Sequence, residues 1–170
     1  TALAEDMGHK QYSEMLNKLF TSLSRISADY DGEIYQYVGD EAVLTWLITP
    51  DFDFTEPLRL YRDFKLKIQE DKSHYLAKYE MAPGFKAALH GGEVIVTELG
   101  HRRKDLAFHG DVLNTASRLL GRASDLNKDL LISTYYREKL DGDDTFSITL
   151  VEKMVLRGKQ DESAIYEVEV

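Results

Sequence analysis

Two glycine-marked breaks constrain this chain more than any other feature. Gly39-Asp40 separates the run Glu33 to Val38 from Ala42 to Ile48, and Gly91-Gly92 separates Phe85 to His90 from Glu93 to Thr97. All four runs are short and rich in β-branched or apolar residues, and a two-residue break of this kind between them reads as a β-hairpin. Helical spacing flanks both breaks. Leu16, Leu19, Phe20, Leu23 and Ile26 precede the first, and Asp31-Gly32 stops that helix. Leu58, Tyr61, Phe64 and Ile68 carry the same period through the charged stretch Pro50 to Tyr79. Leu106 to His109 reads as a short strand, and Asp111 is the expected N-cap of a helix bearing Val112, Leu113, Ala116, Leu119, Leu120 and Ala123. A strand at Leu130 to Ser133, a short helix through Tyr136 and Leu140, and strands at Phe146 to Leu156 and Ala164 to Val170 close the chain. Helices alternating with antiparallel hairpins predict an α+β sandwich, with hairpins covered by helices.

Composition narrows what such a sandwich can do. Three prolines and no Ser/Gly-rich linker or internal repeat in 170 residues predict one domain spanning 1–170. A hydrophobic share of 43% and a charged share of 30% suit a soluble globular domain, which at this length buries enough surface to need no staple. The absence of cysteine excludes disulfides, zinc–thiolate sites and thiol nucleophiles. Against 21 Lys and Arg stand 30 Asp and Glu, a net charge of −9, which argues against a nucleic-acid partner. No apolar run approaches the ~20 residues of a membrane span, and no signal-peptide pattern is present. The chain opens at Thr1 rather than Met, so it is expected to be a piece of a longer protein.

Several constellations can carry chemistry. Asp40 at a hairpin tip offers a hard oxygen ligand to Mg²⁺, although Gly-Asp also simply makes turns. Asn114 and Arg118, four apart, share one helix face and present donors to an anion; a solvated face has the same appearance. His90-Gly91-Gly92-Glu93 reads as structural, and the five histidines show no ligand spacing. His101-Arg102-Arg103-Lys104 reads as a solvated loop. Arg157-Gly158-Lys159 places two cations at a strand end, an anion contact or an ordinary exposed turn.

The order of these segments is more specific than any one of them. Gly32-Glu33-Ile34-Tyr35-Gln36-Tyr37-Val38-Gly39-Asp40-Glu41, then Phe85 through Val94, then Gly110-Asp111-Val112-Leu113-Asn114-Thr115-Ala116-Ser117-Arg118-Leu119, then Leu156-Arg157-Gly158-Lys159, resembles the class III nucleotidyl cyclases over essentially the whole chain. The resemblance implies a ferredoxin-like core with extra strands and a homodimer with active sites at the subunit interface. It implies ATP or GTP as substrate, attack of the ribose 3′-hydroxyl on the α-phosphate, and two Mg²⁺ or Mn²⁺ ions held by two aspartates. Asp40 matches the second metal aspartate. Asn114 and Arg118 match the pair that orients the ribose and stabilises charge at the reacting phosphate. Arg157 matches a basic residue facing the triphosphate, with Lys159 as the fallback. Thr1 matches the end of the loop that cradles phosphates.

Three departures accompany the match. The strand carrying the first metal aspartate would precede Thr1, so the chain is expected to be nearly inactive alone. A purine-reading lysine is Gln36 here, and its usual Asp or Thr partner is Ala107. Adenylate cyclase is therefore expected because it is the commoner bacterial form, and not from these two residues. Guanylate cyclase and a non-catalytic, nucleotide-binding or dimerising regulatory domain are the alternatives; a diguanylate cyclase relative fits the Asn114–Arg118 helix poorly. The resemblance further implies a cytoplasmic domain with an upstream sensor or membrane domain.

Overall fold

The computed structural model describes residues 7–99, 105–155 and 162–170. The chain divides into two compact units, Thr1–Phe85 and Lys86–Val170.

In the first unit, α1 (His9–Ala28) buries Met15, Leu19, Leu23 and Ser27, one residue per turn, with Leu16, Phe20 and Ile26 half-buried beside them. After the turn at Asp31 come β1 (Glu33–Val38) and β2 (Glu41–Thr45), antiparallel from Glu33↔Thr45 to Val38↔Glu41. Gly39-Asp40 is thus the two-residue loop the sequence predicts, and Gly39 takes a φ of +63° there. The charged stretch forms two helices, α2 (Glu56–Glu70), with Pro57 in its first turn, and α3 (Lys72–Tyr79). Met15, Leu19, Leu23, Leu60, Phe64, Tyr75 and Tyr79 make the core, and Ile34, Ala42, Leu44 and Trp46 lay one hairpin face on it. The Trp46 indole donates to the Tyr30 carbonyl at 2.9 Å. Its ring lies so close to Gly32 that a Cβ there would meet Cζ2 at 2.8 Å, so the helix-stopping glycine also seats the tryptophan.

In the second unit, a four-stranded sheet runs in the order β3 (Ala87–Leu89), β6 (Leu130–Ser133), β8 (Glu162–Glu169), β7 (Ser147–Val155). β3 and β6 are parallel; the other neighbours are antiparallel. All four β6 residues are buried, as suits a strand paired on both edges. α4 (Asp111–Asp125) lays Leu119 and Ala123 on Leu131 and Ile165 of the sheet. α5 (Thr134–Lys139) follows β6, and the Ser133 side chain caps it by accepting from the Tyr136 N–H at 3.2 Å. β4 (Ile95–Leu99) and β5 (Asp105–His109) form a separate antiparallel pair.

That pair corrects the expected second hairpin. Gly91-Gly92 does not join two paired strands: β3 pairs with β6, forty-odd residues further on, and β4 pairs with β5. The Gly-Gly signal is local, whereas pairing with the fully buried strand β6 is a long-range gain that takes β3 elsewhere. The expected N-cap also moves by one. Gly110, with φ +146°, holds the cap position, and a Cβ on it would come within 3.3 Å of the Glu93 carbonyl. Asp111 opens the first turn instead, where its charge complements the helix dipole.

Candidate functional site

The site residues divide between the two units. Asp40 and Gln36 are in the first; Asn114, Arg118 and Ala107 are in the second. Thr1, Arg157 and Lys159 lie outside the described residues.

Asp40 is exposed at the β1–β2 turn, as a carboxylate serving a solvent-borne ligand must be. Its Oδ2 accepts a hydrogen bond from the Tyr12 hydroxyl of α1 at 3.0 Å. The neighbouring Tyr37 ring lies 4.6 Å from Phe20, so two side chains of α1 touch the hairpin end. Gln36 is exposed on β1 opposite Val43, just past a bulge between Ile34 and Gln36. Alternation puts it on the face away from Ala42, Leu44 and Trp46. An exposed carboxylate oxygen fits a hard divalent cation, which takes one or two such ligands and completes its shell with water or phosphate oxygens. Among the described residues there is no group of three His, Cys, Asp or Glu that could hold a metal by itself.

On α4, Thr115, Leu119 and Ala123 are buried, and Asn114 and Arg118 form the exposed row beside them. Among the described residues neither side chain has a hydrogen-bond or ion-pair partner. The next residue of that row, Arg122, is engaged. It donates to Glu152 of β7 at 2.6 and 3.1 Å and to Asp125 at 3.0 Å. The bond to Glu152, foremost, raises its already high pKa. Two further ties hold the same helix end. Lys86 donates to the Ala123 carbonyl and to Asn127, both at 3.1 Å, and Lys128 pairs with Glu167 of β8 at 2.6 Å. α4 is therefore pinned at its C-terminal end, while Asn114 and Arg118 in its earlier turns have no partner among the described residues.

Arg118 lines a pocket of about 320 Å³ with His90, Glu93, Asp111, Thr115 and Ser133. His90 Nδ1 lies 2.8 Å from the Ser133 hydroxyl, which already caps α5. Ala107 stands opposite Thr97 in the β4–β5 pair. Sequence reasoning missed Tyr12, Lys86 and the Arg122–Glu152 tie. A tyrosine and a lysine at helical or strand-edge positions carry no local signal; only the fold gives them partners.

The chain is similar to known proteins along its whole length. The description "Adenylate and Guanylate cyclase catalytic domain" matches residues 1–169. The chain is 35% identical over 133 residues, 78% of its length, to "Adenylate cyclase 2" of Rhizobium meliloti (strain 1021), and covers 37% of that protein. It is 25% identical over 99% of its length to an adenylate cyclase of Anabaena cylindrica and covers 34% of it. The chain thus spans about a third of the length of these relatives. Its fold superposes on the adenylyl cyclase CyaB from P. aeruginosa with a TM-score of 0.79 at 20% identity, covering all of this chain and 88% of that one.

Proposed function

The chain belongs to the adenylate and guanylate cyclase catalytic domain family, and from that premise we propose that it forms the catalytic domain of an adenylate cyclase. The two compact units make one domain in this reading, since a single family match spans both. ATP is converted to cyclic AMP and pyrophosphate at the interface of a homodimer. The ribose 3′-oxygen forms a bond to the α-phosphorus, the bond to the bridging oxygen breaks, and pyrophosphate leaves with that electron pair. The 3′-hydroxyl proton passes to solvent, because no side chain is assigned as a dedicated base.

The observation that carries this reading is the Asn114–Arg118 row: two exposed donors without partners among the described residues, on a helix that is itself tied down. An unengaged guanidinium is free to donate to a phosphate oxygen as charge builds on it, which is where such a donor lowers a barrier. Asn114, one turn away, orients the ribose. Asp40 would hold Mg²⁺ or Mn²⁺. A divalent cation bound there supplies positive charge against the triphosphate and acidifies the attacking hydroxyl. The family resemblance assigns Arg157, with Lys159 as its alternative, and Thr1 to the triphosphate; all three lie outside the described residues. In this reading Gln36 and Ala107 are assigned to the base, and Gln36 can donate or accept there. ATP is preferred over GTP because both curated relatives are adenylate cyclases. Among the described residues no helix is long and apolar enough to cross a membrane. In this reading the domain works in the cytoplasm and sensor or membrane segments belong to the full protein.

The test is product formation by the full-length protein from ATP or GTP with Mg²⁺ or Mn²⁺, beside its Asp40→Ala variant. Cyclic AMP from the wild type and a large loss in the variant are expected. Equal product from both contradicts the role of Asp40. Nucleotide binding without any cyclic product favours the regulatory reading, which the Gln36 and Ala107 departures motivate.

A further inference from the structure

We propose that Tyr12 is a positioning residue for the divalent cation: its hydroxyl holds the Asp40 carboxylate in the orientation that receives the ion. The inference rests on the reading of Asp40 as a metal ligand, and extends it to a residue of α1 that no chemical motif marks.

The geometry begins in the helix. Tyr12, Leu16 and Phe20 follow one another at four-residue spacing and share a face of α1. Phe20 meets Tyr37 ring to ring, and Tyr12 meets Asp40. These two contacts hold the hairpin end against α1, at Phe20 and again two turns nearer its N-terminus at Tyr12. The Tyr12 ring is half-buried against the core cluster of the first unit. Its position is thus set by packing, and only the hydroxyl projects to the turn. Asp40 is the second residue of the two-residue loop, after Gly39 at φ +63°, and among the described residues Tyr12 gives its side chain a hydrogen bond. A single donor on Oδ2 uses one of about four acceptor sites on the carboxylate and leaves the rest for an ion. Such outer partners of a metal-binding carboxylate fix its orientation before the ion arrives, and their loss typically weakens metal affinity by 10- to 100-fold.

The test measures ion binding and not only turnover. Mn²⁺ is titrated into the full-length protein and followed by electron paramagnetic resonance, with 3′-deoxy-ATP present as a nucleotide that lacks the attacking hydroxyl. Wild type, Tyr12→Phe and Asp40→Asn are compared. Phe keeps the ring in the core, so Tyr12→Phe should unfold cooperatively like the wild type. Its Mn²⁺ affinity should fall about 10-fold or more, with a matching rise in the Mn²⁺ needed for half-maximal activity and kcat retained at saturating ion. A smaller change, or tighter binding, overturns the proposal. Asp40→Asn separates the two layers. If it binds Mn²⁺ as tightly as the wild type, Asp40 is no ligand and the underlying reading fails. If it loses the ion while Tyr12→Phe keeps it, only the role of Tyr12 fails.

Discussion

The β1–β2 turn and the exposed row of α4 hold their polar side chains in opposite ways. At the turn the backbone is a two-residue loop and the side chain is held, because Asp40 accepts from Tyr12 at 3.0 Å. On α4 the backbone is held and the side chains are not. Lys86, Arg122 and Lys128 fasten the helix end to the sheet or to its own cap, and Asn114 and Arg118 stand without partners among the described residues. A cation ligand gains from a fixed carboxylate, since ion geometry is strict. Donors that follow a phosphate whose charge moves during the reaction gain from a fixed base and an unengaged head. The same helix row shows both states four residues apart, in Arg118 and Arg122.

The sharpest way to break this contrast is to loosen the helix. Leu119 is buried between α4 and the sheet, so Leu119→Ala should lower unfolding free energy by about 2–5 kcal/mol, read by denaturant melts, with activity lost along with the fold. Retained stability would mean that the polar ties alone hold α4. Next is the seat of the hairpin. Gly32→Ala drives a methyl into the Trp46 ring at 2.8 Å and should cost about 1–3 kcal/mol, with a blue or red shift of tryptophan emission as the indole leaves the Tyr30 carbonyl. An unchanged spectrum would show that Trp46 does not seat the hairpin.

The smallest effect is pH-dependent. Tyr30 donates a hydrogen bond to Asp63 of α2; that bond, foremost, lowers the pKa of Asp63 and raises that of Tyr30. A carboxylate depressed on folding stabilises above its unfolded pKa of about 3.9 and loses that contribution as pH falls through the lower folded value. The tyrosine contributes below its unfolded value near 10 and loses its share as pH rises through the higher folded one. Asp63 is partly exposed, so Asp63→Asn should cost no more than about 1 kcal/mol at pH 7. That difference should shrink below pH 4 in thermal melts across pH 3 to 7. A difference independent of pH would remove the Asp63 charge from the account.

Much of this was legible in the residues. The periodicity of α1 and α4, the β1–β2 hairpin and the strand at Leu130 to Ser133 follow from local spacing and turn chemistry. Family order singles out Asp40, Asn114 and Arg118 as candidates, and the structure puts the last two on one exposed face. What escaped was long-range. β3 leaves Gly91-Gly92 to pair with β6 because buried contact with a distant strand outweighs a local turn signal. Tyr12 and Lys86 acquire meaning only from partners 28 and 37 positions away.

The most direct measurement is kcat for cyclic AMP formation in Arg118→Ala beside Arg122→Ala, both in the full-length protein at saturating ATP and metal. The account predicts a loss of about 10²- to 10³-fold for Arg118→Ala, the usual cost of removing one transition-state donor. For Arg122→Ala, which loses only its ties to Glu152 and Asp125, it predicts a loss under about 10-fold, from a partly exposed ion pair. Equal losses in the two variants would contradict it.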